Sequence, residues 1–326
     1  MASLHHRCIG ALLVTLAALA GGSTAVAAET FPTRPVRVLV PFAAGGTFDL
    51  VARVVSQRLT EVWGHQVIVD NRPGGATIIA TSMVVKAAPD GHTIYLSPNA
   101  LAANPSLYKD LPYDAKRDLA AVVLIAAQPM ALGAHPGLKA RSVRELLDMA
   151  KARPDSLSFG TAGIGSGGHL AGEIFNSMAG IDMRHISYKG GNIAMMDVVA
   201  NNIPLVVTGL PNLLPLHRDG RIRILGITSG QRSAVDNQIP TLGETVPGYE
   251  FKNWFGFVVP AQTRPAVIKK INADVNQILN TGGTREQLTS QGFDVLGGTP
   301  AEFTATIAAD TKTFAAVLGK AGTSSR

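Results

Sequence analysis

Cysteine is nearly missing from this sequence: the 326 residues contain one, Cys8. A disulfide framework needs paired cysteines, so that class of small, cross-linked fold is excluded. Cys8 lies before an apolar run, whereas the acylated cysteine of a lipoprotein would follow such a run. Removal of the N-terminal segment described below would leave no cysteine, which excludes thiolate catalysis and a cysteine-ligated metal.

Long runs of lysine and arginine are also missing, although the formal net charge is +6. The closest basic clusters are Arg141/Arg144 and Arg218/Arg221/Arg223, which lie among acidic and apolar residues. A nucleic-acid interface needs a denser basic patch, so no nucleic-acid partner is expected. The charge provides either solubility or a mild long-range attraction for anions, and composition leaves both interpretations open.

The N-terminus is typical of a signal peptide. A basic start that includes Arg7 precedes the apolar run Ile9–Ala20, and small residues follow at positions 25–28 (AVAA). This run is shorter than the roughly 20 residues of a membrane-spanning helix. We expect export to the periplasm with cleavage near Ala28; an uncleaved membrane anchor is the alternative.

Short runs rich in β-branched residues alternate with helical patterns along the chain, which is typical of βαβ units and mostly parallel sheets. Periodicity alone allows either a strand or a helix over Leu119–Ala127, and its β-branched centre favours a strand. The predicted strands are Val36–Val40, Val67–Val69, Thr93–Ser97, Leu119–Ala127, Leu157–Gly160, Met183–Tyr188, Leu205–Thr208, Ile222–Thr228 and Trp254–Pro260. The predicted helices are Phe48–Trp63, which Gly64 stops, a helix opened by the Ser142–Glu145 capping box, His169–Ala179, which Gly180 stops, Pro265–Leu279 and residues 301–318.

One arrangement occurs twice: a strand, a glycine-rich turn and a helix. The turns are Phe42–Thr47 (FAAGGT) and Thr161–Gly168 (TAGIGSGG). Glycine lets backbone N–H groups approach a ligand, and a helix that begins there presents unpaired N–H donors and a positive dipole end. Two such turns could face each other across a cleft and hold one anion. We therefore expect two similar α/β lobes, joined by crossover strands near Gln128–Pro129 and Tyr249–Phe251.

Neither turn fits a nucleotide-binding or nucleophile motif. The first lacks both G-x-G-x-x-G and G-x-x-x-x-G-K-[ST]. In the second, a G-x-S-x-G frame around Ser166 would need glycine where Ile164 stands. We expect Ser166 to be a ligand hydroxyl or a helix cap. A secreted serine hydrolase that uses Ser166 and His169 is the weaker alternative, because no orienting acid is evident.

Two ionisable side chains lie beside these turns. Asp49 opens the first helix, where a carboxylate favours the dipole; it could also orient the turn or contact a polar ligand. His169 lies either in the cleft or on the surface of the first helical turn. The histidines have no H-x-x-x-H or H-E-x-x-H spacing, so no metal site is expected.

Several short motifs occur together along the chain. They are residues 35–49 (PVRVLVPFAAGGTFD), 69–74 (VDNRPG), 88–93 (APDGHT), 111–114 (LPYD), 159–170 (FGTAGIGSGGHL), 188–191 (YKGG) and 247–250 (PGYE). With these motifs the chain resembles the extracytoplasmic receptors of tripartite tricarboxylate transporters, the Bug receptor family. The resemblance spans nearly the whole chain after the signal segment.

The resemblance implies the flytrap architecture of type II periplasmic binding proteins: two Rossmann-like α/β lobes, joined by crossover strands, that close on a ligand. Lobe 1 would comprise residues 29–127 plus 249–326, and lobe 2 residues 128–248. It implies a monomeric receptor, not an enzyme, with no cofactor. Such a receptor passes small organic acids, such as citrate, other di- and tricarboxylates, acidic amino acids or aromatic acids, to integral membrane transporter subunits. A receptor that feeds a signalling kinase is the alternative.

The resemblance also implies ligand contacts from both lobes. Matched by motif, the first-lobe contacts would be Phe42, Ala44, Gly46, Thr47, Asp49 and Asn99. The second-lobe contacts would be Thr161, Ala162, Ser166, His169 and Tyr188. We also expect a ligand contact from Thr208, where this chain departs from the family pattern.

Two segments depart from the family pattern. Where the family usually has A-G-G-x-I-G, this chain has GATIIA at residues 75–80, so that Thr77 and Ala80 add bulk where glycine normally lets the ligand approach the backbone. Where the family often has V-D-L-x-F-D, Pro204 and Thr208 replace the two carboxylates. We hypothesise that the ligand is not a short dicarboxylate such as aspartate or malate, and that it has less positive charge or more apolar surface than the usual family ligands.

Overall fold

A computed structural model describes residues 31–154, 156–233, 235–281 and 283–318. The predicted signal peptide lies outside these ranges. Across the described segments, no helix combines the length and apolar character that crossing a bilayer requires.

The first sheet contains both parallel and antiparallel pairs. Its strands are β1 (Val36–Val40), β2 (Val67–Asn71), β3 (Thr93–Ser97), β4 (Leu119–Gln128), β10 (Asn253–Pro260) and β11 (Asp294–Val295), in the order β11-β4-β10-β3-β1-β2. As the βαβ pattern predicts, β1 pairs in parallel with β2 and β3. Strand β10 runs antiparallel between β3 and β4, because the chain re-enters this sheet from the other one.

The second sheet is built around a strand that the sequence pattern does not predict. Its strands are β5 (Met130–Ala134), β6 (Ser158–Thr161), β7 (Arg184–Ser187), β8 (Leu205–Gly209) and β9 (Arg223–Ile227), in the order β7-β6-β8-β5-β9. Strand β5 is buried along its length and runs antiparallel to β8 and β9. Both sheets are therefore mixed, and the expectation of mostly parallel sheets is wrong.

The helices connect and cover these strands. They are α1 (Thr47–Trp63), α2 (Ile78–Val85), α3 (Ala100–Leu107), α4 (Ala115–Asp118), α5 (Val143–Ala152), α6 (Gly167–Ala179), α7 (Gly191–Val199), α8 (Leu210–Arg218), α9 (Pro265–Asn280), α10 (Thr284–Ser290) and α11 (Pro300–Leu318). The predicted stop at Gly64 is confirmed: this residue is left-handed and its N–H donates to Thr60 O.

The predicted capping box of α5 forms with one hydrogen-bond partner changed. The Ser142 hydroxyl accepts from the backbone N–H of Glu145, as expected of an N-cap. The Glu145 carboxylate, however, accepts from the N–H of Arg141 at 2.7 Å rather than from Ser142. The carboxylate thus satisfies a donor one residue further out, and the helix still begins where the sequence predicts.

Two neighbouring crossover segments join the sheets. The chain passes from β4 to β5 at Pro129 and returns into β10, and Gln128 of β4 is the register partner of Asn253 of β10. The fully buried Thr228 binds both segments: its hydroxyl donates to Phe251 O at 2.8 Å and accepts from Met130 N–H at 2.9 Å. These strands set the floor of the space between the sheets.

Helix α11 packs against both halves of the molecule. Phe303 packs edge-on against Trp254 of the first sheet at a centroid distance of 5.2 Å. Phe314 and Leu318 join the apolar core that covers the second sheet. The division into lobes at residues 127–128 and 248–249 stays a prediction, and the helix it assigns to lobe 1 extends onto the other core.

Candidate functional site

A cavity of about 340 Å³ lies between the two sheets. The first sheet contributes the turn that follows β1, and the second contributes the segments that follow β6, β7 and β8. The crossover strands close its base. The lining residues are Phe42–Phe48, Gln128, Met130, Ala162, 166–168, 189–193, Val207, Thr208, Gly209, Asn212 and Asn253.

Four helices begin at this cavity. Helices α1, α6, α7 and α8 start immediately after Gly46, Ser166, Gly190 and Gly209, and all four of these residues line the cavity. The three glycines provide no side-chain cap. First-turn N–H groups have no acceptor within their own helix, although in α8 Leu210 N–H donates to Pro129 O and Pro211 has no N–H. The positive dipole ends add to the attraction of the first-turn N–H groups for negative charge. The convergence favours an anion.

The first turn is held from behind by Asp49. Its carboxylate accepts from Gly45 N–H at 3.0 Å and from Arg53 Nε at 2.8 Å. Asn71 fixes the start of the turn by donating to Phe42 O at 3.0 Å. Burial raises the pKa of Asp49, but the hydrogen bonds from Arg53 and Gly45 outweigh it and hold the pKa below its usual value. Asp49 is therefore a charged residue of the wall that shapes the turn.

The second turn is organised by hydroxyl groups. The Ser166 hydroxyl caps α6 by accepting from His169 N–H, and it donates to the Thr161 hydroxyl at 3.4 Å. Thr161 in turn accepts from Gly163 N–H at 3.2 Å. Ser166 reaches the cavity, whereas Thr161 is fully buried beneath the turn.

Two histidines pack under this turn. The rings of His169 and His185 lie 4.4 Å apart, and Gly165 N–H donates to His169 Nδ1 at 3.3 Å. Burial lowers the pKa of His169 to about 3, with a further contribution from His185. Burial likewise lowers the pKa of His185 to about 4. Both rings are therefore neutral near pH 7, and His169 acts as a hydrogen-bond acceptor within the wall.

Tyr188 and Asn99 lie away from the cavity. The Tyr188 hydroxyl donates to Asp197 at 2.7 Å, and its ring lies against Gly160. Asn99 donates to Asp310 of α11 at 3.1 Å and accepts from Trp254 N–H at 3.1 Å. Asn99 thus ties the start of α3 to the returning crossover strand and to the C-terminal helix.

The cavity brings together part of the predicted contact set. The predicted residues that line it are Phe42, Ala44, Gly46, Thr47, Ala162, Ser166 and Thr208. The predicted residues that lie behind its walls or away from it are Asp49, Asn99, Thr161, His169 and Tyr188. The second group positions the turns and strands that present the first.

Five polar residues that line the cavity were not predicted from the sequence: one lysine and four amides. Within the described part of the chain, Lys189 is the one ionisable side chain that lines the cavity, and it forms no ion pair there. A signal was present: in YKGG a lysine precedes two glycines and a helix start. The amides are Gln128, Asn192, Asn212 and Asn253. These have no local signal, because only the tertiary fold brings them together.

The departures at residues 75–80 fall outside the cavity. Ala76 and Thr77 have φ angles of 50° and 72°, so they keep a left-handed backbone that glycine adopts more easily. Thr77 and Ala80 are buried, and neither lines the cavity. The expectation that they add bulk against the ligand is therefore wrong. Of the replaced carboxylate positions, Thr208 reaches the cavity and Pro204 does not.

Comparison with known proteins gives consistent matches. The family profile described as tripartite tricarboxylate transporter family receptor (TctC) matches residues 51–322. Protein BugT of Bordetella pertussis is 33% identical over 308 residues, which cover 94% of each chain.

Two solved structures have the same fold. A protein of R. palustris solved with adipate superposes with a TM-score of 0.82 at 33% identity, over 89% of this chain and 98% of its own. MatC from Rhodopseudomonas palustris with bound malate gives a TM-score of 0.82 at 26% identity, over 88% of this chain and 100% of its own.

Proposed function

This chain belongs to the tripartite tricarboxylate transporter receptor family, a class of solute-binding receptors, and we propose that it binds a small organic acid between its two lobes in the periplasm. It then delivers the acid to integral membrane transporter subunits. The observation that supports this most strongly is the convergence of four helix N-termini and Lys189 on one cavity. Each helix end stabilises an anion by about 0.3–2 kcal/mol, so several ends and one lysine together hold a carboxylate.

The rest of the cavity favours an acid with an apolar body. Phe42 and Ile193 contribute apolar surface on opposite sides, and Met130 and Val207 contribute it near the base. No carboxylate side chain lines the cavity within the described ranges. A cationic amine would lack a counter-charge there, which disfavours an amino acid ligand. The adipate-bound relative has such a ligand: a short methylene chain between carboxylates.

Capture requires the lobes to open and close, and we assign this hinge to the crossover segments. Near Pro129 and Phe251 the chain changes sheet twice, and Thr228 bonds both segments. Motions of this kind are absorbed by a few residues at element ends. In this proposal residues 128–248, with the end of α11 that packs on their core, move as one body against the rest.

Hydrolysis by Ser166 is disfavoured by geometry. A serine nucleophile needs its hydroxyl bonded to a base, which a third group orients. The Ser166 hydroxyl instead donates to Thr161, and His169 Nδ1 accepts from Gly165 N–H. The arrangement supports capping and ligand contact rather than proton transfer.

A thermal-shift screen tests the proposal. Residues 29–326 are unfolded and refolded to remove bound ligand, then heated with C4–C10 mono- and dicarboxylates, citrate, acidic amino acids and benzoate-type acids. An acid present at 100 times its dissociation constant stabilises the fold by about 2.7 kcal/mol, which raises Tm by roughly 4–5 °C in a chain of this length. No shift with any acid would contradict the proposal.

A lysine pair provides the matched control. Lys189→Met should reduce the shift for every acid that binds, because the cavity loses its charged side chain. Lys269→Met removes a lysine from the exposed face of α9 and should leave the shift unchanged. Equal shifts in both variants would show that the acid binds elsewhere.

A further inference from the structure

We propose that Gln128 and Asn253 form a second subsite at the floor of the cavity, which binds an oxygen-bearing head group at the other end of the ligand. This inference rests on the proposed function and goes further, because it specifies the class of acid. The two residues are register partners on β4 and β10, 2% and 3% exposed, and both line the cavity. Their side chains therefore form one patch on the crossover strands.

Both side chains contain an unpartnered polar atom. Gln128 Oε1 and Asn253 Oδ1 are buried and have no hydrogen-bond partner among the described residues. Buried polar groups in folded proteins are almost always hydrogen-bonded, so two exceptions at adjacent register positions indicate a site with a missing partner. A ligand in the cavity provides that partner.

The walls are shaped to admit these amides. A Cβ on Gly167 would collide with the Asn253 carboxamide, and a Cβ on Gly209 would collide with the Gln128 carboxamide. Gly167 is the first residue of α6, and Gly209 immediately precedes α8. The two glycines therefore let each amide lie against a helix start, and all four residues line the same cavity.

The chemistry of the patch defines the head group. A carboxamide offers two N–H donors and one oxygen acceptor, and it has no charge. A hydroxyl can both accept from the N–H₂ groups and donate to the orphan oxygens. A carbonyl or a second carboxylate can accept from the N–H₂ groups. An alkyl end satisfies neither. The ligand is therefore an acid with a second oxygen function, and Lys189 with the helix ends holds the first carboxylate.

Calorimetry on the refolded protein tests this with matched ligands. Each C4–C8 alkanoate is compared with its ω-hydroxy and ω-carboxy analogue. The oxygen-bearing analogue of the length that fits should bind about tenfold more tightly than the alkanoate, as one net hydrogen bond implies. The hydroxy and carboxy arms show whether the preferred head is neutral or charged.

Variants assign the preference to the floor. Gln128→Met and Asn253→Leu should bring the ratio close to one while alkanoate affinity changes little. Gln287→Met, an exposed amide on α10 outside the cavity, should keep the tenfold ratio. A ratio near one in the unaltered protein, or a ratio that survives both floor variants, overturns the subsite. The first result needs no variant, so it is decisive even if a variant does not fold.

The two proposals fail differently. If alkanoates bind and a second oxygen adds nothing, the receptor function stands and the floor subsite is wrong. If no acid in the panel binds, the proposed function is wrong, and the subsite that depends on it is wrong as well.

Discussion

The carboxylate of Asp49 accepts a hydrogen bond from the backbone N–H of Gly45 at 3.0 Å and thereby closes the first glycine turn. Gly45 has a φ angle of 82°, a conformation that glycine adopts without strain. The bond lies behind the cavity, since Gly45 lines it and Asp49 does not. The geometry of the turn that contacts the ligand thus depends on a buried charge that the ligand does not touch.

Removal of this carboxylate should weaken binding without removing any ligand contact. Asp49→Ala leaves Gly45 N–H unpaired and should lower acid affinity about tenfold and stability by about 1–3 kcal/mol. Asp49→Asn keeps an acceptor for Gly45 but loses the ion pair with Arg53, so its effect should be smaller. Calorimetry measures the acid affinity of each variant, and urea unfolding measures its stability. Wild-type affinity in Asp49→Ala would show that the turn does not need this bond.

The buried histidine pair should make stability depend on pH. Because the folded pKa values of His169 and His185, about 3 and 4, lie below the ordinary 6.5, protonation favours the unfolded chain. Above about pH 6.5 both histidines are neutral in the folded and the unfolded chain, and the fold keeps its full stability. As the pH falls from 6.5 toward 4 and 3, the unfolded chain takes up protons that the fold does not, and the free energy of unfolding decreases. The loss approaches about 1.4 kcal/mol per pH unit for each histidine.

The measurement compares wild type with His169→Gln by urea unfolding at pH 7.5 and pH 5. The variant has one histidine fewer to titrate, so the stability difference between the two proteins should shrink by about 1–2 kcal/mol at the lower pH. An identical difference at both pH values would mean that His169 has the same pKa in the folded and the unfolded chain, so that burial does not lower it.

The left-handed backbone at Ala76 should be improved by glycine. A non-glycine residue in this region costs about 1–2 kcal/mol, partly offset by the extra freedom that glycine gives the unfolded chain. Ala76→Gly should therefore raise the free energy of unfolding by roughly 0.5–1 kcal/mol. The same change at Ala309, an exposed position inside α11, should lower it by about 1 kcal/mol. Destabilisation by both changes would contradict the assigned backbone strain.

Asp310 should be replaceable by its amide but not by alanine. It accepts from Trp254 Nε1 at 2.7 Å and from Asn99 at 3.1 Å, yet burial raises its pKa above the ordinary 3.8. A raised acid pKa means that the charged form is disfavoured in the fold, a cost absent at pH 3 and present at pH 7.

Asp310→Asn keeps an acceptor oxygen without that charge. Its stability relative to wild type should therefore be higher at pH 7 than at pH 3. Asp310→Ala leaves Trp254 Nε1 unpaired and removes one of the two acceptors of the Asn99 amide, which still donates to Lys252 O, and it should lose about 1–3 kcal/mol. Urea unfolding at the two pH values measures the stability of both variants. Equal losses of stability in Asp310→Asn and Asp310→Ala at pH 7 would show that the charge itself stabilises the contact.

Local signals in the sequence predict the elements that begin or end at glycine. The turn at Phe42–Thr47, the helix that follows and its stop at Gly64 are all predicted because glycine conformations and helical spacing act over a few residues. The same holds for the second turn and for the stop of α6 at Gly180, which is also left-handed. Residues of these two turns and of the helix starts that follow them form about half of the cavity wall.

Elements whose conformation depends on residues far away in the sequence cannot be predicted from local patterns. Strand β5 (MALGA) contains small residues with weak strand preference, and pairing with β8 and β9 determines its conformation. Gln128 and Asn253 are far apart in the chain and become neighbours only through β4 and β10. The parts of the site that specify the ligand therefore depend on tertiary contacts.

A crystal structure with the acid that binds most tightly tests the proposed binding mode. We expect the acid in the cavity between the sheets, with one carboxylate within about 3.2 Å of first-turn N–H groups and close to Lys189. A second concave surface, lined by Leu210, Arg218 and Gly292, lies across α8 from this cavity. An acid bound there, with the cavity between the glycine turns left open, would contradict the account.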